Sequence, residues 1–231
     1  MDTFDTIVRF VQAGGFFMYP IAVILALGVA IAIERYAYLV VTRSKNRIAW
    51  NHIHPLMLQG KIRSTIEYAR GSNAHLSQML VYALSNVTSG WRADDLERIL
   101  DEGLMELIPR LEKRTGYLAT FANIATLLGL LGTILGLIAA FSAVANADPA
   151  EKANLLSGSI SVAMNTTAFG LLAAIPLLLV HAHISTVTSE IVDSMEMAAV
   201  KLANLIHINL SGGETVTFED DAHPESATLT P

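Results

Sequence analysis

The chain has 231 residues and a mass of 24.9 kDa, with 52% hydrophobic residues, 16% charged residues and a mean hydropathy of +0.47. Globular domains carry roughly 25% charged residues, so this composition argues against a free soluble enzyme and for a membrane protein. The absence of cysteine removes disulfides, thiolate metal sites and cysteine nucleophiles, and a net charge of -6 gives no basic footprint for nucleic acid.

Residues 1–15 form the first segment. Phe4, Ile7, Val8 and Val11 set against Asp5, Arg9 and Gln12 make a short amphipathic pattern. It either lies flat on a membrane surface or extends the helix that follows Gly14-Gly15. Phe10–Ile33 is then 24 residues without Asp, Glu, Lys or Arg, long enough to cross a bilayer. Asp2 and Asp5 precede it and positive charge follows it, the reverse of a secretory signal, so 16–41 is read as a transmembrane helix.

Residues 42–114 read as helical throughout. One helix is expected at about 61–70 before Gly71, a second at about 74–88, and a third from Asp94 or Asp95 that runs through a kink at Pro109 into the membrane. Two further uncharged runs follow, Thr115–Ala147 of 33 residues and Ala153–Ser189 of 37. They give a second span at 115–147, a link at 148–158, a third span at 159–184 and a continuing helix at 185–210 with Ile191, Met195, Ala198 and Leu202 on one stripe. The acidic tail, 211–231, is expected to be disordered.

Of 15 Lys and Arg, 11 fall between Thr42 and Arg114. Positive loops mark the cytoplasmic side, which places 42–114 and the C-terminus inside and the N-terminus and the 148–158 link outside. The fold class is therefore an all-α membrane protein, three transmembrane helices with a helical cytoplasmic insertion. Glu34-Arg35 reads as an interfacial pair at the inner end of the first span, with the arginine snorkelling.

The second span holds Gly129, Gly132 and Gly136, small residues that allow close helix approach either between subunits or within one. Asn123, Thr126 and Thr133 share a helical face, and the third span carries Asn165, Thr166, Thr167 and Gly170. A lone threonine commonly bonds back to its own helix, but asparagines and threonines clustered at mid-depth on two spans suggest a wet seam or a polar contact with another helix. Neither span has an acidic or basic residue in its core, so a carboxylate for any ion path must come from another chain. His181 and His183 lie near the inner end of the third span, as interfacial histidines or an exit. An intramembrane enzyme is disfavoured, because Ser157 and Ser159 sit at the opposite face from these histidines. No cofactor or metal site is read from the chain.

The runs Leu127-Leu128-Gly129-Leu130-Leu131-Gly132-Thr133 and Thr166-Thr167-Ala168-Phe169-Gly170-Leu171-Leu172-Ala173-Ala174-Ile175-Pro176, with a first span ending Ile33-Glu34-Arg35, resemble the ExbB/TolQ/MotA family, most closely its ExbB-like branch. The resemblance covers nearly the whole chain. It implies a homopentamer in the bacterial inner membrane, with the second and third spans around a central pore. It implies two copies of an ExbD/TolR-like single-span partner, each bringing a membrane aspartate, and in some systems a TonB-like periplasm-spanning protein. Ion flow would drive mechanical work in the envelope. Thr133 and Thr167 match the family's pore threonines and would face the partner aspartate, with Thr166, Asn165, Asn123 and Thr126 along the path.

Two departures stand out. Val162 occupies the position of a glutamate in many ExbB-like chains, and Thr126 that of a proline in many relatives. Extra neutral oxygens keep Na+ open as the permeant ion beside H+, which the resemblance favours. A ring that anchors a partner without conducting is the competing reading.

Overall fold

The computed structural model describes residues 15–86, 93–145 and 147–211, with side chains described over the same residues except 84–86, 93–97 and 207–211. The expected amphipathic segment at 4–13 and the tail beyond 211 lie outside them. Six helices occur among the described residues: α1 (Met18–Leu58), α2 (Ile62–Gly71), α3 (His75–Asn86), α4 (Ala93–Glu112), α5 (Thr115–Ala145) and α6 (Lys152–Ser211). α5 and α6 make the most extensive contact, α1 packs on both, and α4 packs on α6 with α3 and α2 layered outside.

Three helices are long and apolar enough to cross a membrane. Two of them, α1 and α6, run on beyond the boundaries drawn from sequence, and α5 stays within its own. α1 has 41 residues, about 61 Å at 1.5 Å per residue, and continues past residue 41 through Pro55. α6 has 60 residues, so 159–184 and 185–210 are one unbroken helix through Pro176. It begins at Lys152, inside the stretch assigned to the link. α4 passes Pro109 but does not run on into the second span: it ends at Glu112, and the chain breaks at Arg114, whose φ is +67°. The left-handed conformation of a non-glycine residue stops the helix there more firmly than a proline whose freed carbonyl lies on the exposed face.

The bundle is stitched by one spacing. The buried residues of α1 include Ile21, Gly28, Ala32, Arg35, Leu39, Thr42, Asn46, Ala49 and Ile53, alternating three and four apart except for the step from Ile21 to Gly28. α5 buries Thr115, Leu118, Ala122, Ala125, Gly129 and Gly132 in the same rhythm, and α6 buries Ile184, Thr188, Ile191, Met195, Ala198 and Leu202. That period of 3.5 is the seam of a left-handed helix bundle. It crosses from the apolar spans into the charged ends without interruption. Large apolar side chains point away from it: Val23, Ile33, Leu127, Phe141, Leu172 and Leu179 are all well exposed on the single chain. Faces of that size need lipid or another protein chain.

Arg35 and Glu34 part company. Arg35 is 4% exposed and does not snorkel; its guanidinium donates to the Leu111 carbonyl and lies 4.8 Å over the Tyr38 ring. Leu111 is in the last turn of α4, where carbonyls lack helical partners, so an α1 arginine caps α4 and complements its dipole. Glu34 turns outward to Arg114, at 2.7 and 2.9 Å, a half-exposed pair of small energetic weight. Arg35→Met is expected to lower the stability of the detergent-solubilised protein by about 1–3 kcal/mol, the effect of removing a charged donor from a buried carbonyl, read by thermal unfolding. Glu34→Gln is expected to change little.

Asn46 and His75 join α1 to α3. Asn46 Oδ1 accepts from the Leu76 N–H at 3.3 Å, and Tyr38 Oη lies 3.1 Å from His75 Nε2. Burial pushes the His75 pKa below 6.5, with Arg110 and Lys45 adding to the shift and a Gln78 hydrogen bond opposing it. Between the depressed value and 6.5 the unfolded chain therefore binds a proton that the folded chain rejects. The stability tied to neutral His75 is complete above 6.5 and is lost as pH falls through the folded value. Thermal unfolding scans from pH 7.5 to 5 are expected to show a falling midpoint, with a shallower slope in His75→Asn.

Candidate ion-path site between the second and third long helices

Glycines set the distance between α5 and α6. A Cβ on Gly170 would stand 2.7 Å from the Ala125 carbonyl oxygen and 3.0 Å from Gly129 Cα. A Cβ on Gly129 would stand 3.3 Å from Thr167 Cα and the Thr166 carbonyl. Gly136 meets Ala163 and Gly132 meets Thr166, so the small residues of both helices face each other within this one chain.

At this close crossing, the Thr133 and Thr167 hydroxyls are hydrogen-bonded to each other. Each also lies within reach of one shared acceptor, the Gly129 carbonyl, at 3.0 Å from Thr133 Oγ1 and 2.9 Å from Thr167 Oγ1. Two hydroxyl protons thus serve two internal bonds, one hydroxyl donating to the other and that one to the carbonyl. Lone pairs on both oxygens remain. The half-buried pair therefore presents acceptors, suited to a protonated carboxyl or a cation. It can donate to a carboxylate only by releasing the Gly129 carbonyl.

The other candidate residues stand elsewhere. Thr166 is buried, with its hydroxyl on the Val162 carbonyl at 3.0 Å and its methyl towards Gly132. Thr126 bonds back to the Ala122 carbonyl at 3.1 Å. Asn123 and Thr126 are exposed and Asn165 is half-buried. The structure brings together Thr133, Thr167, Gly129 and Gly170, and leaves Asn123, Thr126 and Asn165 outside that cluster.

A polar cleft of about 410 Å³ opens further along the same helices, lined by Glu112, Thr115, His181, Ser185, Thr188 and Asp193 among others. Thr115 is eighteen residues from Thr133, and Ser185 eighteen from Thr167. Eighteen residues are five whole turns, so both pairs share a helix face about 27 Å apart. Sequence reasoning missed this match, although the equal spacing was visible. His181 lines the cleft, whereas His183 is exposed, its ring 6.0 Å from that of Tyr36.

The MotA/TolQ/ExbB proton channel family model matches residues 71–197, from the end of α2 through most of α6, threonine pair included. The chain belongs to this family. A biopolymer transport protein ExbB homolog of Methanothermobacter thermautotrophicus is 28% identical over 204 residues, covering 85% of this chain and 69% of that protein. A biopolymer transport protein ExbB-like 3 of Synechocystis sp. is 28% identical over 170 residues, 73% of this chain and 80% of its own. The Tol-Pal system protein TolQ of Haemophilus influenzae is 34% identical over 88 residues, 38% of each chain. This is a membrane channel family, not an enzyme family.

Proposed function

We propose that the chain is the ion-conducting stator subunit of an inner-membrane motor, coupling the proton motive force to mechanical work in the envelope. Five copies surround a pore with α5 and α6 inward. Two ExbD/TolR-like helices occupy it, and each supplies an aspartate. The stretch 42–114, which holds 11 of the 15 Lys and Arg, faces the cytoplasm with the end of α1 and with α2, α3 and α4, and the end of α6 lies on the same side.

The observation that carries this reading is the threonine pair. It is a half-buried, acceptor-rich spot in a family of proton channels, on spans with no titratable group beside it. A carboxyl arriving from a partner helix would be stabilised in its protonated form by the free lone pairs. It would be stabilised in its ionised form by a hydroxyl swung from the Gly129 carbonyl. The carboxyl carries the proton and the threonines set its pKa and hold its place. The cleft at Thr115, His181 and Ser185, on the same face, supports a route towards the inner side. Protons suit this arrangement better than Na+, which takes several oxygen ligands. Only two hydroxyls gather here, while Thr166 is turned into the helix contact and Asn123 and Thr126 lie apart.

Native mass spectrometry of the chain co-expressed with its single-span partner tests the assembly. Five copies holding two partners support the stator. A stable monomer or dimer without partner sinks it, and a five-to-two complex that carries no flux leaves a non-conducting scaffold.

A further inference from the structure

A second cleft, of about 400 Å³, lies between α1 and α6 beyond the apolar spans. Arg43, Asn46, Arg47 and Trp50 line it from α1 and Lys201 from α6, with Leu76 and methionines forming apolar walls. Positions 43, 46, 47 and 50 recur at helical spacing on one face. Three cations meet one carboxylate here. Glu190 pairs with Arg43 at 3.1 Å, while Arg47 and Lys201 have no carboxylate partner among the described residues. The Lys201 ammonium lies 5.8 Å from the Trp50 ring centroid instead. Of the other acids on this stretch of α6, Asp193 lines the polar cleft and Glu196 lines neither.

Asn46 supplies an independent sign. It is 6% exposed and its Oδ1 is used by Leu76, but its Nδ2 is buried without an acceptor. A buried donor left unpaired is destabilising, and an anion in the cleft would offer what it lacks. Depth narrows the anion's identity. Arg43 is two residues past the end of the first span and Trp50 nine, about 3 and 14 Å along the helix. The headgroup layer is about 5–8 Å thick on each side of the hydrocarbon, so Arg43 and Asn46 fall within it, while Arg47, Trp50 and Lys201 lie beyond its edge on long side chains that can reach back. Arginine, lysine and tryptophan are the residues that settle there.

We propose that this cleft binds the phosphate of an anionic phospholipid, with Arg43, Arg47 and Lys201 as its charge partners and Asn46 as a neutral donor. The phosphate matches the cleft's surplus of positive charge, and the apolar walls take the start of the lipid's chains. The site rests on the membrane placement of α1 and α6 and not on conduction. The four α1 positions and Lys201 lie outside the family match at residues 71–197.

The test is lipid retention by the purified full-length complex, read by native mass spectrometry after exchange into detergent with phosphatidylglycerol or phosphatidylcholine. Inorganic phosphate and ATP at millimolar concentration serve as soluble competitors. Phosphatidylglycerol is expected to stay bound in preference to phosphatidylcholine and to resist both competitors. The double variant Arg47→Gln/Lys201→Gln is expected to lose retention by roughly tenfold, and Arg47→Gln/Lys201→Arg, with charge restored at one position, is expected to recover part of it. Equal retention of the two lipids, or no loss in the double variant, overturns the site. Displacement by phosphate or ATP overturns the lipid and makes a soluble phosphate the ligand. Proton flux of the double variant keeps this apart from the stator reading: flux that persists when lipid is lost supports a lipid site separate from the ion path.

Discussion

Replacing both paired hydroxyls, Thr133→Val with Thr167→Val, is expected to cut proton flux through the partner-bound complex by roughly tenfold to a hundredfold. That range is the loss of one hydrogen bond to a charged group, about 1.5–3 kcal/mol. The structure makes this substitution clean. Among the described residues the hydroxyls bond to each other and to the Gly129 carbonyl, so valine at both positions removes the two hydroxyls together and leaves that carbonyl to its own helix. Assembly and thermal stability should stay close to those of the parent chain. Thr133→Ser with Thr167→Ser keeps both oxygens and should keep most of the flux. Flux measured by a pH-sensitive dye in proteoliposomes checks both variants. An unchanged rate in the valine pair would assign these threonines to packing alone.

Gly170→Ala should be the most damaging of the small-residue substitutions. The added methyl would meet the Ala125 carbonyl oxygen at 2.7 Å and Gly129 Cα at 3.0 Å, and both are backbone. Backbone cannot rotate away, so α5 and α6 must move apart, at about 1–3 kcal/mol or more. Separation would also open the bonds that run from Thr167 to Thr133 and Gly129, so flux should fall with stability. Gly28→Ala is the informative comparison. Its methyl also meets an atom at 2.7 Å, but that atom is Leu177 Cδ2, the end of a flexible side chain. A rotamer change relieves it, and the loss should be clearly smaller. Gly116→Ala meets nothing within 4 Å and should be neutral or slightly stabilising in helix α5. Thermal unfolding of the three variants in one detergent orders them.

The spans were legible because a bilayer needs long uncharged runs, and three such runs are plain in the sequence. Which face of each span turns inward was not. In lipid the outside is apolar as well, so hydrophobic periodicity fades over α1, where Val23 and Ile33 face out while Arg35, Thr42 and Asn46 face in. The seam becomes visible only as a three-four rhythm in which small and polar residues are interspersed with large apolar ones. Arg35 was misread for a related reason. Its partner, the Leu111 carbonyl, is 76 residues away, and no local pattern announces an orphaned helix end on another element. Thr133 and Thr167 were found through their motifs. Asn123 and Thr126 were grouped with Thr133 because a helical wheel fixes angles about one axis. It does not say which neighbour those angles meet, and Thr126 turned back onto its own helix. The helices between Lys61 and Glu112 were read to within a few residues because Gly71 and the Asp94-Asp95 pair mark their ends chemically.

The central claim is that this chain builds the walls of a proton path whose carboxylate comes from a second protein. Proton flux in proteoliposomes containing the chain alone, the chain with its single-span partner, and the chain with the partner's membrane aspartate changed to asparagine tests it most directly. The account predicts conduction in the second preparation only. Steady proton flux through the chain alone, or through the asparagine complex, would contradict it.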